Sequence, residues 1–305
     1  MAKVFIDGSA GTTGLRIYER LGKRKDIELI ILSDQLRKDI DARKDAINKS
    51  DIAFLCLPDK AAIEAVGLVE NDNTVIIDTS TAHRTNDDWC YGFAELGNLR
   101  EKIASSKRIA NPGCHATGFI SLVKPLVDNN IIDKNEYLSC FSLTGYSGGG
   151  KSMIADYEGE NKEQLCAPRM YGLTQQHKHI PEISKICNLN NAPVFSPIVS
   201  SYYSGMQVVV PLNAKQINGD IKTVKAVYED YYKTKVVSFC RCDENGFLSA
   251  SKLSGKDNLL VSVFGNDERI TLVSRFDNLG KGASGAAIQN MNIVLGVDET
   301  TGLNI

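Results

Sequence analysis

No apolar run in the 305 residues approaches the roughly 20 that a bilayer-spanning helix requires, so no membrane partner is expected. Charge of one sign is not in excess either. The 35 Lys and Arg against 37 Asp and Glu leave a net charge of −2, without the clustered basic surplus that nucleic-acid binding calls for. Internal repeats, low-complexity segments and long linkers are missing. Histidine is scarce at four residues, which narrows the candidates for imidazole chemistry. The eight cysteines, scattered from Cys56 to Cys242, follow no disulfide-framework spacing and predict reduced thiols. The opening MAKVFIDGS has neither the hydrophobic stretch nor the cleavage site of an export signal, so a cytoplasmic location is expected.

The first third of the chain alternates strand and helix patterns, which predicts an α/β fold beginning with a Rossmann-like parallel sheet. Strands are expected at 3–6, 27–32, 51–57, 74–78 and 108–110. Residues 12–21 form an amphipathic helix with Leu15, Tyr18 and Leu21 as its apolar stripe. Pro58 stops the third strand, and Asp59 caps a helix running to about residue 70. Beyond residue 135 the strands lengthen (137–143, 206–212, 259–264 and 270–276). Helices are expected at about 152–166 and 220–233, and a last one over 282–294. This texture suits a second α+β domain whose mixed, largely antiparallel sheet carries helices on one side. The expected division is 1–115 plus 279–305 for a dinucleotide-binding domain, and 116–278 for a catalytic and oligomerisation domain.

After the first strand comes Gly8-Ser9-Ala10-Gly11-Thr12-Thr13-Gly14, then a helix. Strand, glycine turn and helix N-terminus together let backbone N–H groups approach a pyrophosphate. The G-x-x-G-x-x-G spacing alone is weak, and a turn that merely packs helix on strand would look the same. At the end of the second strand, Asp34 is placed to meet ribose hydroxyls, while Ser33 and Arg37 are placed to meet a 2′-phosphate. The residues leave NAD and NADP both open.

Asn111-Pro112-Gly113-Cys114-His115-Ala116-Thr117-Gly118 turns sharply into an apolar helix. A thiol in the first turn of a helix has its thiolate favoured by the dipole, and the free N–H groups there suit an oxyanion. Cys56, Cys140, Cys166 and Cys187 lack such an entry turn and read as small buried hydrophobes, and Cys240-x-Cys242 reads as structural. The proton partner must be one of four histidines. His177 and His179 lie in the stretch from Tyr171 to Ile183; His115 adjoins Cys114 but is expected to project elsewhere; His83, with Arg84, follows the fourth strand. A His-pair metal site lacks a third ligand at suitable spacing, so no metal is expected. The glycine-rich loop from Thr144 to Lys151 suits an anion, or is a hairpin connection. Asn278 to Gly285 opens the last helix, either returning the chain to the cofactor or packing helices closely.

Taken together, GSAGTTG from Gly8, NPGCHATG around Cys114, GYSGGGK from Gly145, HKHIPEI from His177 and NLGKGASGAAIQNM from Asn278 resemble N-acetyl-γ-glutamyl-phosphate reductase, in its compact, shorter class. The resemblance spans essentially the whole chain. It implies NADPH-dependent reduction of an acyl phosphate to a semialdehyde and phosphate in arginine biosynthesis, through a thioester on Cys114. It further implies His177 as acid/base, Tyr171 and His179 as supporting site residues, and a homodimer or homotetramer. Gly8, Ser9, Gly11, Thr12, Thr13, Gly14, Ser33, Arg37 and Asn278 are then the expected NADP(H) contacts. Arg84, Ser147 and Lys151 are the candidates for gripping phosphate and carboxylate. The long class usually has an aromatic residue after its nucleophile, where this chain has His115. Aspartate-semialdehyde dehydrogenase, a non-enzymatic NADP-binding sensor and a Cys–His hydrolase are the alternatives.

Overall fold

A computed structural model describes residues 1–160 and 162–305. The chain forms two compact units, one of residues 1–113 and 283–303, the other of 114–282 and 304–305. The break falls two residues earlier than the sequence suggests, because Cys114 already opens a helix of the second unit.

The first unit contains β1 (Ala2–Asp7), α1 (Thr12–Leu21), β2 (Ile27–Ile30), α2 (Ile40–Lys49), β3 (Ile52–Leu55), α3 (Asp59–Val66), β4 (Val75–Asp78), β5 (Cys90–Tyr91), α4 (Leu99–Ser105) and β6 (Arg108–Ala110). Its six strands pair in the order β2-β1-β3-β4-β6-β5, every pairing parallel. β3 (IAFL) and β4 (VIID) are buried along their whole length, as continuous apolar strands covered on both faces should be. Helix α2 was not expected from its polar sequence. It is started by Asp39, whose side chain accepts the Ala42 N–H at 2.8 Å, and only Ala46 and Ile47 anchor it. The apolar stripe of α1 also differs from expectation. Gly14, Ile17 and Leu21 face the core, while Leu15 and Tyr18 are exposed beside a groove.

The second unit contains α5 (Cys114–Asp128), β7 (Ser139–Gly145), α6 (Gly150–Glu158), β8 (Arg169–Met170), α7 (His179–Ile186), β9 (Val194–Ser200), β10 (Met206–Asn213), α8 (Ile221–Tyr231), β11 (Val237–Phe239), β12 (Leu259–Gly265) and β13 (Arg269–Phe276). These strands pair in the order β11-β12-β13-β10-β7-β9-β8. The β11–β12 and β7–β9 pairs are parallel and the other four are antiparallel. Along β7 and β10 burial alternates, the signature of a sheet with one face on a core. Helix α6 stops at Glu158, well short of the expected 166, and residue 161 within that expected span lies outside the described residues. The last helix, α9 (Gly285–Val294), belongs to the first unit and packs Ala287, Ile288, Met291 and Ile293 into that unit's core with Ile77 and Ile109. A π-helical turn, Gly280–Ser284, precedes it where a helix start was expected.

Helix α5 is the spine of the second unit and is buried on nearly every side. Gly118 allows this: a Cβ there would stand 2.2 Å from Val208 Cγ2 on β10 and 3.0 Å from Phe276 Cε1 on β13. Pro125 has no N–H, so the Ser121 carbonyl loses its helical partner; the Tyr232 hydroxyl donates to it instead at 2.8 Å. Among the described residues, no helix is long and apolar enough to cross a membrane.

Candidate active site

In the first unit, β1, the glycine turn and α1 border a groove of about 760 Å³ running past β2. Gly8 has φ +88°, and a Cβ on it would stand 2.3 Å from the Cys56 carbonyl oxygen; one on Gly14 would stand 2.4 Å from the Gly8 oxygen. Only glycine closes a turn this tight, and it bares the backbone toward the groove. Among the described residues, no side chain caps α1, so its first-turn N–H groups are left for an anion. Leu15, Tyr18, Leu29 and Ile31 give the groove an apolar wall, and Arg37, Lys38 and Arg43 give it cations. A flat heterocycle with a pyrophosphate and a further phosphate fits this lining. Arg37 is half-exposed and pairs with Asp34 at 3.2 Å; Ser33 is exposed beside it. Arg43, unforeseen because α2 was, pairs with buried Asp7 at 2.8 Å. Burial raises the Asp7 carboxyl's pKa and Arg43 partly offsets this.

The loop that leads into Cys114 is pinned within the first unit. Arg84 is buried and donates from Nε to the Asn111 oxygen at 2.9 Å and from Nη2 to the Thr79 oxygen at 2.8 Å. The Asn111 amide donates to the Ala283 oxygen at 3.0 Å and accepts from Asn290 at 3.2 Å. His83 meets Asp78 at 2.6 Å and stacks on Trp89, a bracing role at the sheet's carboxyl edge.

Cys114 opens the second unit, half-buried at the first position of α5. Gly282, in the π-helical turn, runs against it: a Cβ on Gly282 would lie 3.0 Å from the Cys114 Cβ. His115, the next residue, is 3% exposed. Its Nδ1 meets Ser142 Oγ on β7 at 2.6 Å and its Nε2 meets the Tyr171 hydroxyl at 2.7 Å. Burial, reinforced by the charges of His177 and Lys178, pushes the His115 pKa down to about 3, so the ring is neutral. The expectation that His115 projects away from the site therefore needs correcting. Its ring centroid lies 5.6 Å from that of His177 and 5.4 Å from that of His179.

Tyr171 and His177 reach this cluster on a loop between β8 and α7. Gln175 fixes the loop, donating to the Phe195 oxygen at 2.8 Å and accepting the Phe195 N–H at 2.9 Å, in the manner of an extra strand residue. The Tyr171 N–H donates to the Pro197 oxygen at 3.0 Å. Burial raises the Tyr171 pKa, with a further push from the Cys114 charge, so the phenol keeps its proton. His177 Nδ1 accepts the His179 N–H at 3.3 Å, which assigns the proton of the neutral ring to Nε2. Burial first and Lys178 second lower the His177 pKa. His179 is buried at the first position of α7.

Two other expected residues lie in one network. Asn278, an expected cofactor contact, donates to Ser147 Oγ at 3.0 Å and accepts the Gly205 N–H at 2.9 Å, so its amide braces the glycine-rich loop of its own unit. Ser147 is buried there, while Lys151 is exposed on the first turn of α6. Among the other thiols, Cys140 and Cys187 are buried as expected, and burial pushes the Cys56 pKa up to about 12. Cys166 departs from expectation: it is exposed, following a short 3-10 turn rather than lying in an apolar element. Ser142 was missed by sequence reasoning, since it carries no motif of its own; Gln175 and Gly282 lie inside strings the sequence singles out, but their contacts, distant in sequence, do not follow from those strings.

Residues 33–106 match the family described as semialdehyde dehydrogenase, NAD binding domain, and residues 114–278 the one described as semialdehyde dehydrogenase, dimerisation domain. Among solved structures, aspartate semialdehyde dehydrogenase II from Vibrio cholerae is similar with a TM-score of 0.74 at 18% identity, covering 97% of this chain and 99% of that one. The aspartate semialdehyde dehydrogenase with NADP from Candida albicans gives 0.69 at 13% identity, covering 97% and 99%. At these identities the likeness establishes the fold. Sequence relatives are nearer. The proteins named N-acetyl-gamma-glutamyl-phosphate reductase from Brucella ovis and Brucella canis are each 45% identical over 306 aligned positions, 96% of this chain and 99% of theirs. With near-complete coverage on both sides, this chain belongs to the N-acetyl-gamma-glutamyl-phosphate reductase family.

Proposed function

We propose that the chain reduces N-acetyl-γ-glutamyl phosphate to N-acetylglutamate 5-semialdehyde and phosphate with NADPH, through a thioester on Cys114, as a cytoplasmic homodimer or homotetramer. The observation that carries the reading is the cluster of Cys114, His115, Tyr171 and His177 around the start of α5, within a chain 45% identical to its named relatives over nearly all its length. The Cys114 thiolate attacks the acyl carbon, the C–S bond forms, and the C–O bond to phosphate breaks. Bound NADPH supplies the hydride that reduces the thioester carbonyl. The N-terminal end of α5, where the helix dipole favours negative charge, holds the oxyanion. When the tetrahedral carbon collapses, the C–S bond breaks and the thiolate returns. One proton from solution is consumed and leaves on phosphate; His177 is the acid/base candidate in this chain.

In the first unit, Gly8, Ser9, Gly11, Thr12, Thr13 and Gly14 hold the NADP(H) pyrophosphate, and Ser33 and Arg37 its 2′-phosphate. Ser147 and Lys151, on the glycine-rich loop, are the further substrate-binding candidates. Arg84 acts by holding the Asn111 carbonyl that precedes the nucleophile.

The test runs the reaction backwards at alkaline pH, where loss of a proton favours oxidation. Phosphate-dependent NADP reduction with N-acetylglutamate semialdehyde, and none with aspartate semialdehyde, is the expected result. The opposite preference would move the chain to aspartate-semialdehyde chemistry. Silence with both, despite NADPH binding, would favour the sensor reading.

A further inference from the structure

His115 stands between two hydroxyls that lie far apart in sequence. Ser142 Oγ, fully buried on β7, meets Nδ1 at 2.6 Å, and the Tyr171 hydroxyl meets Nε2 at 2.7 Å. Phe195 packs edge-on against the same ring at 5.4 Å, and His177 and His179 close its remaining sides. Lys178, between those two histidines in sequence, is the cation acting on both His115 and His177. A neutral imidazole has one donor nitrogen and one acceptor nitrogen. With a hydroxyl at each end, the row has two proton orders. In one, Ser142 donates to Nδ1 and Nε2–H donates to the phenolic oxygen, which leaves the phenol's own proton free. In the other, the phenol spends its proton on Nε2. The charge on Cys114 is the second cause, after burial, of the raised Tyr171 pKa.

We propose that His115 is a positioning residue: braced from behind by Ser142, it holds the Tyr171 hydroxyl in the first proton order, with the phenol's proton presented to the oxygen of the acyl group on Cys114. This rests on the reading of Cys114 as the nucleophile. Tyr171 is the donor, and His115 acts only through it. The arrangement gives the residue after the nucleophile a task that an aromatic hydrocarbon ring in its place does not perform.

The test is a double-mutant cycle on the full-length enzyme, read as kcat and KM in the phosphate-dependent reaction. Wild-type turnover of N-acetylglutamate semialdehyde is the control, and its failure would count against the proposed function and the positioning role together. With that control positive, His115→Phe and Tyr171→Phe are expected to lower kcat by the same factor, tenfold or more, with KM for phosphate changed less than twofold. The double variant is expected to be no slower than Tyr171→Phe. His115→Gln, whose amide reaches toward the position of Nε2, should recover part of the loss. A double variant slower than Tyr171→Phe by the full His115→Phe factor, or a His115→Phe enzyme as fast as wild type, would overturn the proposal. Ser142→Ala, which removes a single buried oxygen, covers the case in which His115→Phe does not fold. It should slow the wild type and leave the rate of Tyr171→Phe unchanged; equal slowing in both backgrounds would overturn the proposal.

Discussion

Burial sets the acid response of single residues in this chain. The folded His115 ring stays neutral down to about pH 3, whereas in the unfolded chain it takes a proton near its ordinary value of 6.5. Below 6.5 the unfolded state therefore binds more protons, and stability falls as pH falls. The stabilisation is complete above pH 6.5 and is lost between 6.5 and 3, by at most about 1.4 kcal/mol per pH unit for one group. His177, lowered in the same direction, adds to the loss over the upper part of that window. Denaturant unfolding at pH 7, 6 and 5 should show the wild type losing stability more steeply than His115→Phe. Parallel slopes would mean that His115 is not held neutral. At this same scale the candidates Cys114, His177, Tyr171 and His179 stand out in the sequence, because they sit in contiguous strings that a reader can match. Ser142 does not, since its role comes from strand pairing that brings it to a ring 27 residues away.

Among the elements, α5 depends most on a single small residue. Alanine is the better helix former than glycine by about 1 kcal/mol, so propensity alone favours Gly118→Ala. Packing opposes it, since the new methyl would stand 2.2 Å from Val208 Cγ2 and 2.8 Å from its Cβ. Overpacking of this kind costs about 1–3 kcal/mol, and a net loss of stability is the expected outcome of thermal or denaturant melts. Val208→Ala in the same chain should restore part of it; a Gly118→Ala protein as stable as wild type would show that β10 yields freely. The long apolar strands and α5 were legible from periodicity. Helix α2 was hidden because only Ala46 and Ile47 are buried from its ten residues. Strand β9 was hidden because Pro197 reads as a strand breaker, although the structure pairs it with Ser142 in a parallel ladder. Helix α6 was over-extended because the sequence gives no sign of its stop at Gly159 beyond the glycine itself.

For the whole molecule, the two-unit α/β organisation followed from the change in strand length near residue 135, and the sheet orders then gave it form. The fold is shared with aspartate semialdehyde dehydrogenases at only 18% identity, so it says little about which acyl phosphate is used. The proposed chemistry rests on Cys114. The most direct measurement mixes the enzyme with N-acetylglutamate semialdehyde and NADP, leaves phosphate out, and then quenches in acid for mass spectrometry. The account predicts a burst of NADPH close to one equivalent per active site, an N-acetylglutamyl mass on the peptide containing Cys114, and neither signal in Cys114→Ser. An unmodified Cys114 in an enzyme that turns over once phosphate is added would contradict the thioester.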